Sequence, residues 1–369
     1  MAPTNYYVDP VGGNDTTGNG TSGTPWKSVQ KALNTITRDA TNGDQINVKA
    51  GGTDTLSSAL VLTTYGTPTL AAPLFIRGYT SAANDGGFGI VEGGGSVSVI
   101  SASGANYLWF VDMKLGNTGA NRIARVGIGG GYVNCEIYNS SAAGIQTGAN
   151  NLVLGCYIHD CATGIDGSAQ PGFVYGCYFA NGATRGFTTA IDISIANMIC
   201  DGNILKLDGA SVGIKNTTAI NVVLKNNSIF SAAGTGKGIY LVSGAAHLLN
   251  NIVEGFSGSG GMGIRLDSGA VASIMAANAL YNNATNISNA GLIRLQLIAD
   301  AALGGSPFVN AASGDFDING TVAGVTESGW PATFFGAAST TPKVDVGASQ
   351  AGAGAGGGGT VNPLRGKLG

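Results

Sequence analysis

The sequence predicts an all-β fold, a parallel β-helix of roughly ten coils that begins with a capping helix. Two short sequence motifs, called marks below, repeat with the same period and support this prediction, and the composition agrees with it. The chain has 369 residues, of which 62 are glycine and only 11% are charged, whereas average domains carry about 25% charged residues. Glycine and asparagine supply the positive φ angles that short strands joined by tight turns require.

The first mark is a Cys, Asn or Asp followed two residues later by an aliphatic or aromatic residue. Its spacing runs from 21 residues (Cys135 to Cys156) to 27 (Asn251 to Asn278). A second mark, a small residue followed by Ile, recurs with the same spacing. Because these units are too short for a βαβ crossover, each is predicted to be one coil stacked on the next. The first mark occurs at Asp112, Cys135, Cys156, Cys177, Asn203, Asn227, Asn251 and Asn278; the second ends at Ile145, Ile165, Ile191, Ile214, Ile239, Ile264 and Ile287.

The stretch "GCYIHDC" at 155–161 places two cysteines, a histidine and an aspartate close together. Cys135, Cys156 and Cys177 hold the same place in three coils, which predicts an internal ladder with a spacing of about 4.8 Å. A metal site needs converging ligands, and a linear column does not provide them. His159 and Asp160 are predicted to lie at a strand-to-turn edge, with a catalytic pair as the alternative.

The two ends of the solenoid are predicted to be capped, because terminal coils expose apolar core. Thr24 suits a helix N-cap and Pro25 the first helical residue, and Trp26, Val29, Leu33 and Ile36 then share one helical face. The predicted boundaries are 1–23 for the first strand and turn, 24–37 for the capping helix, 45–305 for the β-helix, 306–350 for the closing segment and 351–369 for a Gly-rich linker with an anchor peptide.

Segments at both ends resemble a known family. "YYVDPVGGNDTTGNGTSGTPWKSVQKAL" is similar to the opening of pectate-lyase-like β-helix proteins, and "SPFVNAASGDFDI" and "VDVGA" resemble their closing segments. The resemblance implies a right-handed, single-stranded parallel β-helix. It does not select an activity, because this fold hosts lyases, hydrolases, phage tailspikes and non-catalytic virion proteins. The hydrolase motifs that the resemblance implies, such as Asn-Thr-Asp and Gly-His-Gly, are missing.

Two sets of outward residues are candidates for a site. Alternation along the strands places one residue per coil on a common face. In the first set, Asp166 and Asp192 are candidate ligands of calcium, Lys215 or Arg265 a candidate base, and Tyr240 a residue that stacks on a sugar. That arrangement suits a polysaccharide lyase, and a ladder of mixed charges is the alternative. The second set comprises the candidate glycan-binding residues Tyr157, Tyr178, Glu136 and His159.

The net charge of −3 and the lack of a basic cluster argue against nucleic-acid binding. No apolar run reaches the ~18 residues of a membrane span, and the first residues lack the pattern of a signal peptide. We therefore expect a protein made in the cytoplasm and carried on a virion or particle surface, where Leu364, Arg365, Lys367 and Leu368 anchor it to shell proteins.

The leading prediction is a non-catalytic, glycan-contacting component of a phage or virus-like particle: a fibre, a spike or a surface decoration. One alternative is a polysaccharide lyase or glycosidase that acts on an acidic polysaccharide, with calcium as the expected cofactor of a lyase; otherwise no cofactor is expected. Another alternative is a non-catalytic glycan-binding surface protein. β-Helices of this kind often trimerise, so a homo-oligomer is left open.

Overall fold

The computed structural model describes residues 2–100, 105–119, 122–168, 172–294, 301–318, 323–327 and 343–345. Over the described residues, the fold is an all-β parallel solenoid, as predicted, although its coil count differs slightly from the predicted ten. The early coils are longer than the repeat suggested, since Leu74 pairs with Asp44, 30 residues before it, and Leu108 pairs with Leu74, 34 residues before it. Two compact units are present, Met1–Gly172 and Phe173–Gly369. The predicted anchor, Leu364, Arg365, Lys367 and Leu368, lies outside the described residues.

Three walls of parallel strands form the first unit. β1, β2, β4, β6, β8 and β10 make one wall, and β3, β5, β7, β9 and β11 make the second. Parallel bridges between Leu60, Ile100, Ala124 and Ile145 mark the third. The strands are β1 (Thr4–Val8), β2 (Asp44–Lys49), β3 (Thr53–Leu56), β4 (Leu74–Tyr79), β5 (Gly89–Gly93), β6 (Leu108–Val111), β7 (Met113–Gly119), β8 (Gly131–Val133), β9 (Glu136–Gln146), β10 (Leu152–Leu154) and β11 (Tyr157–Gly167).

The capping helix is shorter than predicted. Helix α1 spans Val29–Thr35, and its N-cap is Ser28, whose hydroxyl accepts a hydrogen bond from the Lys31 amide. The predicted N-cap at Thr24 and helical start at Pro25 are wrong, because Asp15 accepts the backbone N–H groups of residues 27 and 28 and so delays the start of the helix. The predicted apolar face is confirmed for Val29 and Leu33. Trp26 and Ile36 are buried as well, but they lie outside the helix. Among the described residues, no helix has the length and apolarity to cross a membrane.

The second unit repeats the three-walled arrangement. β12, β15, β18 and the end of β20 form one wall, β13, β16, β19, β21, β23 and β26 the second, and β14, β17, β20, β22 and β24 the third. Its elements are β12 (Phe173–Tyr175), β13 (Tyr178–Ala180), β14 (Thr189–Ile193), β15 (Ile199–Asp201), β16 (Ile204–Leu207), β17 (Val212–Asn216), β18 (Val222–Lys225), β19 (Ser228–Ser231), β20 (Lys237–Leu249), β21 (Ile252–Glu254), β22 (Met262–Ala276), β23 (Ala279–Tyr281), β24 (Thr285–Asn289), β25 (Leu292–Ile293), β26 (Ala301–Ala302), β27 (Phe308–Asn310), the 3-10 helix Ala311–Ser313, β28 (Asp315–Ile318), β29 (Ala323–Glu327) and β30 (Lys343–Asp345).

The predicted ladder is present inside each unit. In the second unit, Asn203 donates from its side-chain amide to Asn227, and Asn227 does the same to Asn251 and Asn251 to Asn278, each at 2.9 Å. All four side chains are fully buried, and each amide also donates to a backbone carbonyl. Repetition of one polar residue at one buried position therefore satisfies the hydrogen bonds of the interior.

In the first unit, Cys135 and Cys156 occupy equivalent buried positions and are free thiols. Burial raises the pKa of the Cys135 thiol well above its ordinary value, and a hydrogen bond with Cys156 adds to the shift. The prediction of an internal ladder is thus confirmed for this pair. The predicted alignment of Asp112 with Cys135 is wrong by one residue. Lys114 pairs with Glu136, so Met113, and not Asp112, aligns with Cys135. Asp112 and Asn134 instead take left-handed conformations, with φ of 53° and 51°.

A covering segment, residues 303–318, packs on an outer face of the second unit. Phe308, Ala311 and Phe316 are buried in one apolar cluster with residues from the walls beneath. The wall residues in this cluster are Ile204, Phe230, Ile252, Ala277 and Ala279. The hydroxyl of Ser306 also donates to Glu254 at 2.9 Å. This packing shields apolar residues of the second unit from solvent.

Candidate functional site

An outward cluster of aromatic and charged side chains lies on the second wall of the first unit. Side chains alternate between core and solvent along its strands, so Ile137 and Ile158 are fully buried between the outward positions. The cluster is formed by two register columns, one of Lys114, Glu136 and Tyr157 and one of Glu92, Gly116, Tyr138 and His159, together with Asp160 at the end of the second column.

Three rings lie roughly parallel in this cluster. The ring of Tyr157 is stacked on that of His159 with centroids 4.4 Å apart, and the ring of Tyr138 is stacked on His159 at 5.8 Å. Tyr138 crosses Gly116, where a Cβ atom would come within 2.7 Å of its ring. The glycine therefore makes room for the ring, and the Tyr138 hydroxyl reaches Glu92 and donates to its carboxylate.

The charged groups of the outward cluster form ion pairs with one another. Lys114 Nζ lies 2.6 Å from Glu136 Oε2. The imidazole of His159 lies between two carboxylates, with Nε2 3.3 Å from Glu136 Oε1 and Nδ1 2.7 Å from Asp160 Oδ2. Carboxylates accept hydrogen bonds, so both ring nitrogens act as donors in this arrangement. The result is a continuous line of alternating charges beside the rings.

The backbone conformation of two neighbouring residues shapes this end of the cluster. Asp160 and Asn139 are equivalent in adjacent coils and both take left-handed conformations, with φ of 52° and 59°. Asp and Asn tolerate this region better than other non-glycine residues. The turn lets Asp160 contact the histidine that immediately precedes it in the chain, even though side chains of consecutive residues in a regular strand point to opposite faces.

The pKa shifts in the outward cluster follow from this pairing. Burial of His159 acts to lower its pKa, but the hydrogen bonds to Glu136 and Asp160 outweigh burial, and the pKa lies above its ordinary value. Burial of Glu136 acts to raise its pKa, but hydrogen bonds from His159 and Lys114 outweigh it, so the pKa lies below its usual range. Burial, followed by the hydrogen bond to Glu92, raises the pKa of Tyr138. The charged forms of the histidine and the glutamate are therefore the favoured ones.

The other predicted face lies in the second unit, where Asp192, Lys215, Tyr240 and Arg265 occupy neighbouring positions in successive coils. These four residues align as predicted, but their groups are mutually paired, and Asp166, the remaining member of the predicted set, belongs to the first unit. Lys215 Nζ lies 3.3 Å from Asp192 Oδ2. Tyr240 donates to Asp267 at 2.6 Å, and Arg265 Nε lies 2.7 Å from the other oxygen of that carboxylate. The hydrogen bond to Asp267 raises the pKa of the Tyr240 hydroxyl.

The predicted calcium ligands do not fit a calcium site. Asp192 accepts from Thr217 at 3.1 Å with the oxygen that does not face Lys215. In the first unit, Asp166 accepts from the Gln146 amide at 2.8 Å. Calcium takes six to eight oxygen ligands, and the described residues contain no group of three or more His, Cys, Asp or Glu side chains arranged to hold a metal ion.

Three of the predicted glycan-binding residues, Tyr157, Glu136 and His159, meet in the outward cluster of the first unit. The fourth, Tyr178, belongs to the second unit and packs edge-on against Phe316 of the covering segment. Lys114, Tyr138 and Glu92 also belong to the cluster but were not predicted from the sequence. The signal for Lys114 was its place in the repeat, which was hidden by the one-residue misalignment at Asp112.

Comparisons with known proteins agree on the fold. The family described as right handed beta helix region matches residues 126–257. The structure is similar to that of pectate lyase Pel9A with a TM-score of 0.53 and 14% identity, covering 95% of this chain and 97% of the lyase. For XylC in complex with xylose, the TM-score is 0.46 at 12% identity, covering 86% of this chain and 67% of XylC.

A weaker similarity is to the lacto-N-biosidase of family GH136 from Eubacterium ramulus, with a TM-score of 0.37 and 12% identity, covering 81% of this chain and 68% of the biosidase. No curated protein matches the sequence. At 14% identity, the similarity to pectate lyase Pel9A shows the fold alone. The chain has the fold of a pectate-lyase-like right-handed parallel β-helix.

Proposed function

We propose that the chain is a glycan-binding β-helix that holds a saccharide on the outward cluster of its first unit. The observation that carries this proposal is the parallel stack of Tyr138, His159 and Tyr157 beside charged groups on a solvent-facing wall. The apolar faces of sugar rings pack on aromatic rings, and sugar hydroxyls exchange hydrogen bonds with neighbouring carboxylates. A flat wall of parallel strands suits an extended polysaccharide better than a small compact ligand.

The pairing of charges in the cluster favours binding over proton abstraction. A general base needs a lone pair directed at the proton that it removes. Both nitrogens of His159 instead face carboxylates, and Lys114 faces Glu136. The same holds for the candidate bases of the second unit, where Lys215 faces Asp192 and Arg265 faces Asp267. These ionic contacts favour an ordered, charged surface.

The test is the affinity of the full chain for a panel of soluble polysaccharides, measured by affinity electrophoresis. We expect Tyr157→Ala to weaken binding about tenfold, the effect of losing one well-packed aromatic contact. Tyr240→Ala, a matched tyrosine substitution in the second unit, is expected to leave the affinity unchanged.

Two results would contradict the proposal: Tyr157→Ala binding as tightly as wild type, or no binding to any polysaccharide in the panel. A depolymerisation assay on the same panel addresses the alternative function. Turnover that is lost in Lys215→Ala or Arg265→Ala would support the lyase or glycosidase and place its chemistry in the second unit.

Attachment to a virion or other particle stays a prediction. It depends on residues 351–369, which lie outside the described residues. Sedimentation of particles that carry the full chain or a chain without residues 351–369 would test it. Loss of the truncated chain from the particle fraction would support a tail-anchored, glycan-contacting surface component, and its retention would contradict the anchor.

A further inference from the structure

The outward cluster carries more acidic than basic groups. Glu92, Glu136 and Asp160 contribute carboxylates, whereas Lys114 and His159 contribute the cations. All five side chains are half-buried. Charges in such positions are screened less by solvent than fully exposed ones. A ligand that approaches the stacked rings therefore meets a surface with an excess of negative charge.

Both cations are already engaged by carboxylates. Lys114 Nζ is 2.6 Å from Glu136, and His159 bridges Glu136 and Asp160 at 3.3 and 2.7 Å. A carboxylate on an incoming sugar would have to displace one of these partners or lie beside it. Like charges brought close together oppose binding. An anionic sugar is thus disfavoured at this surface.

An uncharged sugar meets no such penalty. Its C–H face packs against aromatic rings, and its hydroxyls can donate to carboxylate oxygens, each of which has two acceptor positions. Hydrogen bonds to an ionised acceptor are stronger than those between neutral groups. The excess of carboxylates, which repels a uronate, is therefore favourable for a ligand that brings only hydroxyl donors.

We propose that the outward cluster selects uncharged, hydroxyl-rich saccharides over uronate-containing ones. This inference rests on the proposed glycan-binding function and names its ligand class. It differs from the sequence-based alternative of an acidic polysaccharide as substrate. It follows from the arrangement of Lys114, Glu136 and His159, in which each cation is held by a carboxylate of the chain itself.

The experiment compares saccharides that share a backbone and differ in whether they carry anionic groups. Affinities of the full chain are measured by calorimetry for three matched pairs: methyl-esterified and de-esterified oligogalacturonate, xylan and glucuronoxylan, and dextran and dextran sulfate. In each pair that binds, the uncharged member is expected to bind at least about tenfold more tightly at low salt. The preference should shrink in 0.5 M salt, because the Debye length falls to roughly 4 Å.

Glu136→Gln provides the matched variant. It keeps the size of the side chain but removes a negative charge and the ion pairs of Glu136 with Lys114 and with Nε2 of His159, so the tenfold preference should fall to about twofold or less. Equal or tighter binding of the charged members by wild type, with Tyr157→Ala still weakening binding, would overturn the ligand class and leave the proposed function standing. Absence of binding by all six saccharides would overturn both.

Discussion

The side-chain amide of Asn227 donates to the side-chain oxygen of Asn251, one coil further along the second unit, at 2.9 Å. Asn227 also donates to the Cys200 carbonyl at 3.1 Å and accepts from the Asn203 side chain at 2.9 Å. Its side chain is fully buried. A group held on both sides in this way is costly to remove, because its partners lose their hydrogen bonds where water does not reach them.

We expect Asn227→Ala to lower the free energy of unfolding by about 3 kcal/mol or more, since each orphaned buried group costs about 1–3 kcal/mol. Chemical denaturation monitored by circular dichroism measures the change. Thr235→Ala, an exposed substitution in the same unit, is the control and should change stability by less than about 0.5 kcal/mol. A loss at Asn227 no larger than that of the control would show that the ladder contributes little to stability.

The ladder also shows why the fold could be predicted from the sequence. A residue type that recurs at Asn203, Asn227, Asn251 and Asn278 marks equivalent positions without any knowledge of the strands between them. The start of the helix was harder to predict, because it depends on a hydrogen bond from the Ser28 amide to Asp15, thirteen residues earlier in the chain. Contacts of this kind are set by the folded chain and leave no local pattern.

The candidate site was predictable only in part, for the same reason. Tyr157 and His159 were accessible as alternating outward residues. The approach of Tyr138 to Glu92 spans 46 positions in sequence and requires the space above Gly116. Which charges pair depends on register, and a one-residue error at Asp112 was enough to hide Lys114. The distinction between paired and available charges, which decides the proposed function, requires three-dimensional structure.

The pairing of His159 predicts a pH dependence of stability. Its pKa in the folded chain lies above the ordinary value of 6.5 because of Glu136 and Asp160. Because the pKa of His159 is raised in the folded chain, its ion pairs stabilise the fold fully below pH 6.5. This stabilisation is lost as the pH rises through the pKa of His159 in the folded chain. We expect the stability difference between wild type and His159→Gln to be largest near pH 5.5 and to fall towards pH 9.

Denaturation of both proteins across that range provides the measurement. The chain has two histidines, and the difference between wild type and His159→Gln isolates the contribution of His159. NMR titration gives an independent readout, since the imidazole signal missing from His159→Gln should titrate above pH 6.5 in wild type. A signal that titrates below 6.5 would contradict the ion pairs assigned to this residue.

The covering segment is expected to open locally when the ring of Phe316 is removed. The ring centroid of Phe316 lies 5.1 Å from that of Phe308 and 6.3 Å from that of Phe230. Phe316 is only 3% exposed to solvent. Removing such a ring costs about 3–5 kcal/mol. That energy is lost from a short segment rather than from the whole solenoid, so Phe316→Ala should open the segment before the coils unfold.

Limited proteolysis distinguishes local from global opening. We expect Phe316→Ala to be cut within residues 303–318 at least about tenfold faster than wild type, with the coils of residues 173–294 as resistant as in wild type. Val309→Ala is the control within the same segment, because Val309 is 56% exposed and its loss should leave the rate unchanged. An unchanged rate in Phe316→Ala would mean that the apolar cluster does not hold the segment. Cleavage spread over the whole unit would mean that cover and coils unfold together.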